Sequence, residues 1–237
     1  MSPGTATGEE ATELEEAPWR ARAVERSLRS ARERAITRSD RFLAAARELL
    51  AETGRTDFTV QELVERANLS LRAFYQHFGS KDELLLALFE DAIATYVAMV
   101  AQKMARHDDP VDQLHTYVAD LCATPESPAP DAQLLSRALT HFHLRLAASN
   151  PPEVVRALEP QVDLARRVIE AGARTGRFRR DVDPRRLAII VTQTLIGVVH
   201  MRLMGAHVTG VGVAPDDLWA FCLAGVSPPA DAAASAR

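Results

Sequence analysis

Hydrogen-bonding side chains crowd into one stretch of the chain, Thr59–Lys81, TVQELVERANLSLRAFYQHFGSK. Arg72 carries a planar fork of donors that matches the O6/N7 edge of guanine, and its neighbours Leu71 and Ala73 carry apolar groups of the kind that touch a thymine methyl. Tyr75, His77 and Lys81 suit phosphate oxygens, and phosphate contacts set register without reading sequence. Thr59, Ser70 and Gln76 complete the candidate contact set. Other reactive groupings are weaker. Asp108-Asp109-Pro110-Val111-Asp112 has the letters of a magnesium–diphosphate motif, but those aspartates would need one continuous helix, which Pro110 interrupts. Asp109 as a cap and Pro110 as a first helical residue explain the same letters. His141 and His143 stand two apart and so do not face one ion from a helix. No Glu-x-x-His occurs, which removes the di-iron bundle pattern. No P-loop, dinucleotide fingerprint or Ser-His-Asp signature appears either.

The elements that must position these residues are short helices with strong end signals. Thr59 and Glu62 have the spacing of a capping box. Leu63, Val64 and Ala67 give an apolar face, and Asn68 suits the left-handed residue at a helix end. Ser70 is a good cap for a second helix over residues 71–78, with Ala73, Phe74 and Phe78 turned inward. Gly79 ends it, and Ser80 with Glu83 starts another. Upstream, Phe42, Leu43, Ala46, Leu49 and Leu50 form a stripe at helical spacing, which predicts a helix from about residue 38 or 40 to residue 53. Two helices and a tight turn, with the start of the second exposed, are the arrangement that sets a helix N-terminus against base edges in the major groove.

The run T-V-x-E-L-V-E-R-A-N-L-S-L-R-A-F-Y-Q-H-F-G-S-K-D-E-L-L resembles the DNA-binding region of the TetR family of bacterial regulators. The resemblance covers residues 38–90, and Y-x-H-F-x-S-K-x-E-L-L is its most specific part. Asn68 stands where Gly is usual, and Leu71-Arg72 stands where Lys-Gly is frequent, so operator preference does not carry over. The resemblance implies an all-α protein with an N-terminal three-helix helix-turn-helix DNA-binding domain and a C-terminal helical bundle for ligand binding and dimerisation. It implies a homodimer on a palindromic operator in double-stranded DNA. The half-sites would lie about 34–36 Å apart or a multiple of that. It also implies a small-molecule effector, with repression as the usual mode.

Composition agrees with such a division. The 237 residues are 47 % hydrophobic and 25 % charged, as in ordinary globular proteins. The net charge of −4 hides an asymmetry. Residues 1–16 hold five Glu and no base; residues 17–81 hold thirteen bases against eight acids; the remaining fifteen bases and nineteen acids follow. A basic N-terminal third on an acidic body is the charge pattern of a DNA reader with a separate effector domain. Two cysteines without metal or disulfide spacing, and a polar start with no signal peptide, predict a cytoplasmic protein without a membrane partner. The expected divisions are a disordered or basic extension over 1–35, the DNA-binding domain over 36–82, the effector and dimerisation domain over 83–226, and a flexible tail over 227–237. Arg20, Arg22, Arg26, Arg29, Arg32, Arg34 and Arg38 recur in the extension. They read either as a solvated leader or as an arm that follows the phosphate backbone.

In the body, helices are predicted at about 81–106, 110–123, 131–148, 151–174 with a kink or split at Pro160, 185–205 and 215–225. The apolar run 187–204 reads as a buried helix, because Thr192, Gln193, Thr194, His200 and Arg202 make it a poor membrane span. Candidate effector contacts are Tyr96, Met99, His115, Phe142, His143 and Gln193, and the expected effector is apolar or amphipathic. Candidate dimer contacts are Ile196, Gly197, His200, Trp219 and Phe221. No metal and no cofactor are expected, and no enzymatic activity. A DNA-binding dimer without any small ligand is the first alternative, and a helical-bundle enzyme the second.

Overall fold

The computed structural model describes residues 18–123, 129–205 and 213–229. The acidic head at residues 1–16, most of the loop at 124–130 and the end of the tail lie outside them. The described residues are helical, without a strand: α1 Pro18–Thr53, α2 Val60–Ala67, α3 Leu71–His77, α4 Lys81–Met104, α5 Pro110–Ala123, α6 Pro130–Ser149, α7 Pro151–Arg174, α8 Pro184–Leu203 and α9 Pro215–Val226.

The chain divides into two compact units, residues 1–41 and 42–237. The head and body, expected as separate domains, thus fall in one unit. In the first unit residues 18–41 are helical, although the apolar stripe placed the helix start near residue 38. No Gly or Pro occurs between Trp19 and Thr53, and Ala, Arg, Glu and Leu favour the helix on their own. Its apolar points, Trp19, Val24, Leu28 and Ile36, are all exposed.

In the second unit, the Phe42–Thr53 part of α1 packs with α2 and α3 around Phe42, Leu50, Leu63 and Phe74, each fully buried. Phe74 meets Phe42 edge to face at 5.6 Å. The Thr59–Glu62 capping box is complete: Thr59 N donates to Glu62 Oε2 at 2.6 Å, and Glu62 N donates to Thr59 Oγ1 at 3.1 Å. Asn68 is left-handed, at φ 50° and ψ 50°, and closes α2. At the next cap only half the expected box forms. Ser80 accepts from Glu83 N, but Glu83 accepts from Gly79 N at 2.6 Å instead of from Ser80.

The body is built on α7, which packs against α4, α5, α6 and α8. Five consecutive helices, α5 to α9, begin on proline. Proline lacks only an N–H that has no intrahelical partner at that position. Asp109 and Asp183 cap α5 and α8 as expected, accepting from Val111 N at 2.9 Å and Arg186 N at 3.0 Å. Pro160 does not split α7. One lost hydrogen bond is outweighed by burial on both sides of it, of Val154, Ala157 and Leu158 before and Val162, Leu164 and Ala165 after. Gly172 is required, since a Cβ there would sit 2.0 Å from the ring of buried Phe178. By length and apolarity α4 and α8 would both suffice to cross a bilayer, so the polar residues of α8 do not exclude it. Both are packed among the other body helices.

Candidate functional site

The exposed side of α3 carries Leu71, Arg72, Tyr75 and Gln76, while Ala73 and His77 are half-buried and Phe74 is the anchor beneath them. Seven residues give two turns, so one buried aromatic fixes the rotation of the helix and hence which residues face out. Tyr75 leans its ring edge against Phe74 at 5.2 Å, and His77 lies 6.2 Å from the Phe42 ring. The frame is braced from behind. Arg66 on α2 forms a two-pronged pair with Glu52 on α1, at 2.7 and 3.0 Å, and Arg47 pairs with Asp91 on α4 at 2.6 Å.

Two of the expected DNA contacts have internal work. Lys81 turns its ammonium group inward. Its Nζ donates to the carbonyls of Thr56 and Phe58, at 3.0 and 2.8 Å, and sits 5.2 Å over the Phe58 ring. It clamps the loop between α1 and α2 to the start of α4. Beside it, the Glu83 carboxylate accepts from Gly79 N. The Thr59 hydroxyl is used in both directions, since it also donates to Glu62 Oε2 at 2.9 Å. Those bonds hold the Glu62 carboxyl below its ordinary range, with the Thr59 backbone N–H the larger cause. Ser70 Oγ accepts from Ala73 N at 3.1 Å and remains exposed at the tip.

A second site lies in the body. A cavity of about 230 Å³ is lined by Phe89, Ile93, Tyr96, Leu121, Leu139, His143, Leu158, Ile196, Val199 and His200, among others. The Tyr96 hydroxyl is buried there with no hydrogen-bond partner among the described residues. Burial pushes its titration far above the ordinary phenol range. His143 and His200 meet edge to face at 4.9 Å. Burial lowers both, His200 to about 4 with a smaller push from His143, so both imidazoles are neutral at pH 7. Next to the cavity, Tyr117 is satisfied by Thr192 at 2.9 Å and titrates near 12 because of burial.

Of the six expected effector contacts, Tyr96 and His143 line this cavity. Met99 is 43 % exposed, and Gln193 is exposed on the outer side of α8. His115 is exposed and stacks edge-on against Trp219 at 4.8 Å. Phe142 is buried in the core between Phe89 and Arg145. Two residues expected at a dimer interface, Ile196 and His200, turn into the cavity instead. They are four apart on α8, so they share a face, and Gly197 is turned away from it. A Cβ on Gly197 would meet nothing within 4 Å. The outward face of α8 and α9 carries Ile190, Gln193, Gly197, Met201 and Phe221, the last 64 % exposed.

With both sites described, the comparisons can be placed. The model of the family described as "Bacterial regulatory proteins, tetR family" matches residues 42–88, the head and the first part of α4. Over these residues the chain is similar to the TetR family. Among curated relatives, the regulator HbdR of Aromatoleum sp. (strain CIB) is 28 % identical over 86 residues, 36 % of this chain and 38 % of that protein. The repressor NicS of Pseudomonas putida (strain KT2440) is 27 % identical over 144 residues, 60 % of this chain and 66 % of its own. Both matches thus span less than two thirds of the relative. Among solved structures, RolR in complex with resorcinol is 25 % identical, covers 86 % of this chain and 94 % of its own, and has a TM-score of 0.61. FadR of Bacillus subtilis in complex with stearoyl-CoA, at 15 % identity, 78 % and 98 % coverage and a TM-score of 0.62, shares the fold. HbdR, NicS and FadR are named as transcriptional regulators or repressors.

Sequence reasoning missed Phe89, Ile93, Leu139, Leu158, Gln161 and Val199 as cavity residues. An apolar residue facing a cavity and one facing a neighbouring helix give the same helical period, so no signal separated them.

Proposed function

We propose that this protein is a DNA-binding transcriptional regulator, a homodimeric repressor that binds a palindromic operator and is released by a small-molecule effector. The observation that carries this reading is α3, which holds Leu71, Arg72, Tyr75 and Gln76 outward on a rigid three-helix head. Arg72 is the reader of a base edge; Tyr75, Gln76 and Ser70 position the helix on the backbone. Dimerisation is supported by the apolar outward residues of α8 and α9, Ile190, Met201 and Phe221, with no Cβ at Gly197 to hold a second helix away.

Release is supported by α6, which touches both sites. Ser136, Leu139, Thr140 and His143 line the cavity. Leu134 packs on Gly54, where a Cβ would sit 2.8 Å from it, and Arg145 pairs with Asp82 at the start of α4 at 2.7 Å. A molecule that fits the cavity better in one placement of α6 shifts the head's equilibrium by its difference in affinity for the two placements, and by no more. The test is footprinting of purified full-length protein on the DNA upstream of its own gene and in a genome-wide binding selection. A protected palindrome occupied by two chains is expected. Absence of any protected site in either format would overturn the proposal.

A further inference from the structure

At pH 7 the cavity in the body holds polarity without charge. None of its lining residues is Asp, Glu, Lys or Arg. Its polar groups are Tyr96, Ser136, Thr140, His143, Gln161 and His200. A buried charge without a partner is costly, so this lining rejects carboxylates, ammonium groups and phosphates. Size narrows the choice further. A dry cavity of about 150 Å³ holds benzene, and the volume here is about 230 Å³. One ring with a few added heavy atoms fills it. Its walls suit a ring, since Phe89 lies 5.4 Å from His143, which lies 4.9 Å from His200, and aromatic edges and faces pack on one another.

The hydrogen bonds on offer specify the substituent. Among the described residues the Tyr96 hydroxyl is buried, protonated and without a partner, so it takes an acceptor. A neutral imidazole presents one N–H and one bare nitrogen, which accepts. A hydroxyl on the ligand both accepts and donates through one atom. A carboxylate only accepts, and a hydrocarbon does neither. We infer that the effector is an uncharged one-ring molecule bearing a hydroxyl, which accepts from Tyr96 and donates toward the His143–His200 pair. This rests on the reading of the cavity as the effector site.

The test uses full-length protein at pH 7.5 and four probes: 3-methylphenol, its hydrocarbon isostere 1,3-dimethylbenzene, benzoate and stearoyl-CoA. Binding is followed by calorimetry and by the shift in melting temperature. 3-Methylphenol is expected to bind at least about tenfold more tightly than the isostere or benzoate, with no binding of the acyl-CoA; tenfold is the size of one good hydrogen bond in a dry site. Tyr96→Phe should weaken 3-methylphenol about tenfold and leave 1,3-dimethylbenzene unchanged. The variant's ligand-free melting temperature should not fall, because the lost oxygen had no partner; a fall would overturn the premise. Benzoate or stearoyl-CoA binding as tightly as the phenol, or a Tyr96→Phe variant with full affinity for it, would overturn the inference. The same preparation is tested on operator DNA. Operator binding with no affinity for the phenol overturns the effector class and leaves the regulator reading standing. Phenol binding without operator binding does the reverse.

Discussion

In the head, the polar groups at helix ends find partners within four residues: Thr59 with Glu62, Ser70 with Ala73 N, Glu83 with Gly79 N. In the body cavity, Tyr96 Oη is buried without a partner among the described residues, and the polar ring pair His143 and His200 is drawn from α6 and α8. The head is finished as it stands and offers its outer side chains to a partner. The cavity is unfinished, since an unpartnered buried hydroxyl costs on the order of 1–3 kcal/mol until something bonds to it. A surface that reads a rigid polymer gains from a fixed frame. A site that must tell occupied from empty gains from a group that only the occupant satisfies.

The sharpest way to break this comparison is to remove the head's anchor. Phe74→Ala should destabilise the protein by about 3–5 kcal/mol, because a fully buried ring at the centre of a small core leaves a cavity. Urea denaturation followed by tryptophan fluorescence and circular dichroism gives the value, and operator binding should be lost with it. A cost under about 1 kcal/mol would mean that the head is not a tight frame. Arg72→Ala comes next. It should cost about 1–3 kcal/mol of operator affinity and relax preference at one base step, with the melting temperature unchanged. Unchanged affinity and preference would remove Arg72 as a reader.

The smallest effect belongs to the cavity and appears on acidification. His200 titrates near 4 when folded, against an ordinary value of 6.5, because burial penalises its charged form. The unfolded chain therefore binds the proton more readily between those values. The stability that the neutral, buried ring contributes is fully present above about pH 6.5 and is lost as pH falls toward 4. Melting temperature should decline over that window in the wild type and decline less in His200→Gln. Equal slopes in the two proteins would place the acid sensitivity elsewhere.

The same contrast explains what the sequence made legible. The caps at Thr59, Ser70, Asp109 and Asp183 and the left-handed Asn68 depend on partners within a few residues, so their spacing is their signature. The rotation of α3 follows from Phe74 alone. The inward bonds of Lys81 were not legible because its partners, the carbonyls of Thr56 and Phe58, are more than twenty residues upstream, and backbone carbonyls carry no letter. The cavity draws residues from α4 through α8, and only Tyr96 and His143 were picked out as effector contacts. Ile196 and His200 were assigned to a partner subunit together with Gly197, but these two line the cavity while Gly197 is exposed. Periodicity tells which residues share a face; it does not tell what that face meets. The start of α1 was placed late because an exposed helix carries no apolar stripe, and its residues persist in a helix through propensity.

The central claim is that occupancy of the cavity is read at α3. The most direct measurement is the operator affinity of the full-length protein, by fluorescence anisotropy, with and without saturating 3-methylphenol. Coupling free energies between such sites are typically about 1–3 kcal/mol, or roughly 5- to 150-fold. The account predicts operator binding weakened within that range, and the phenol's own affinity weakened by the same factor when the operator is bound. An operator affinity that does not change while calorimetry shows the cavity filled would contradict it.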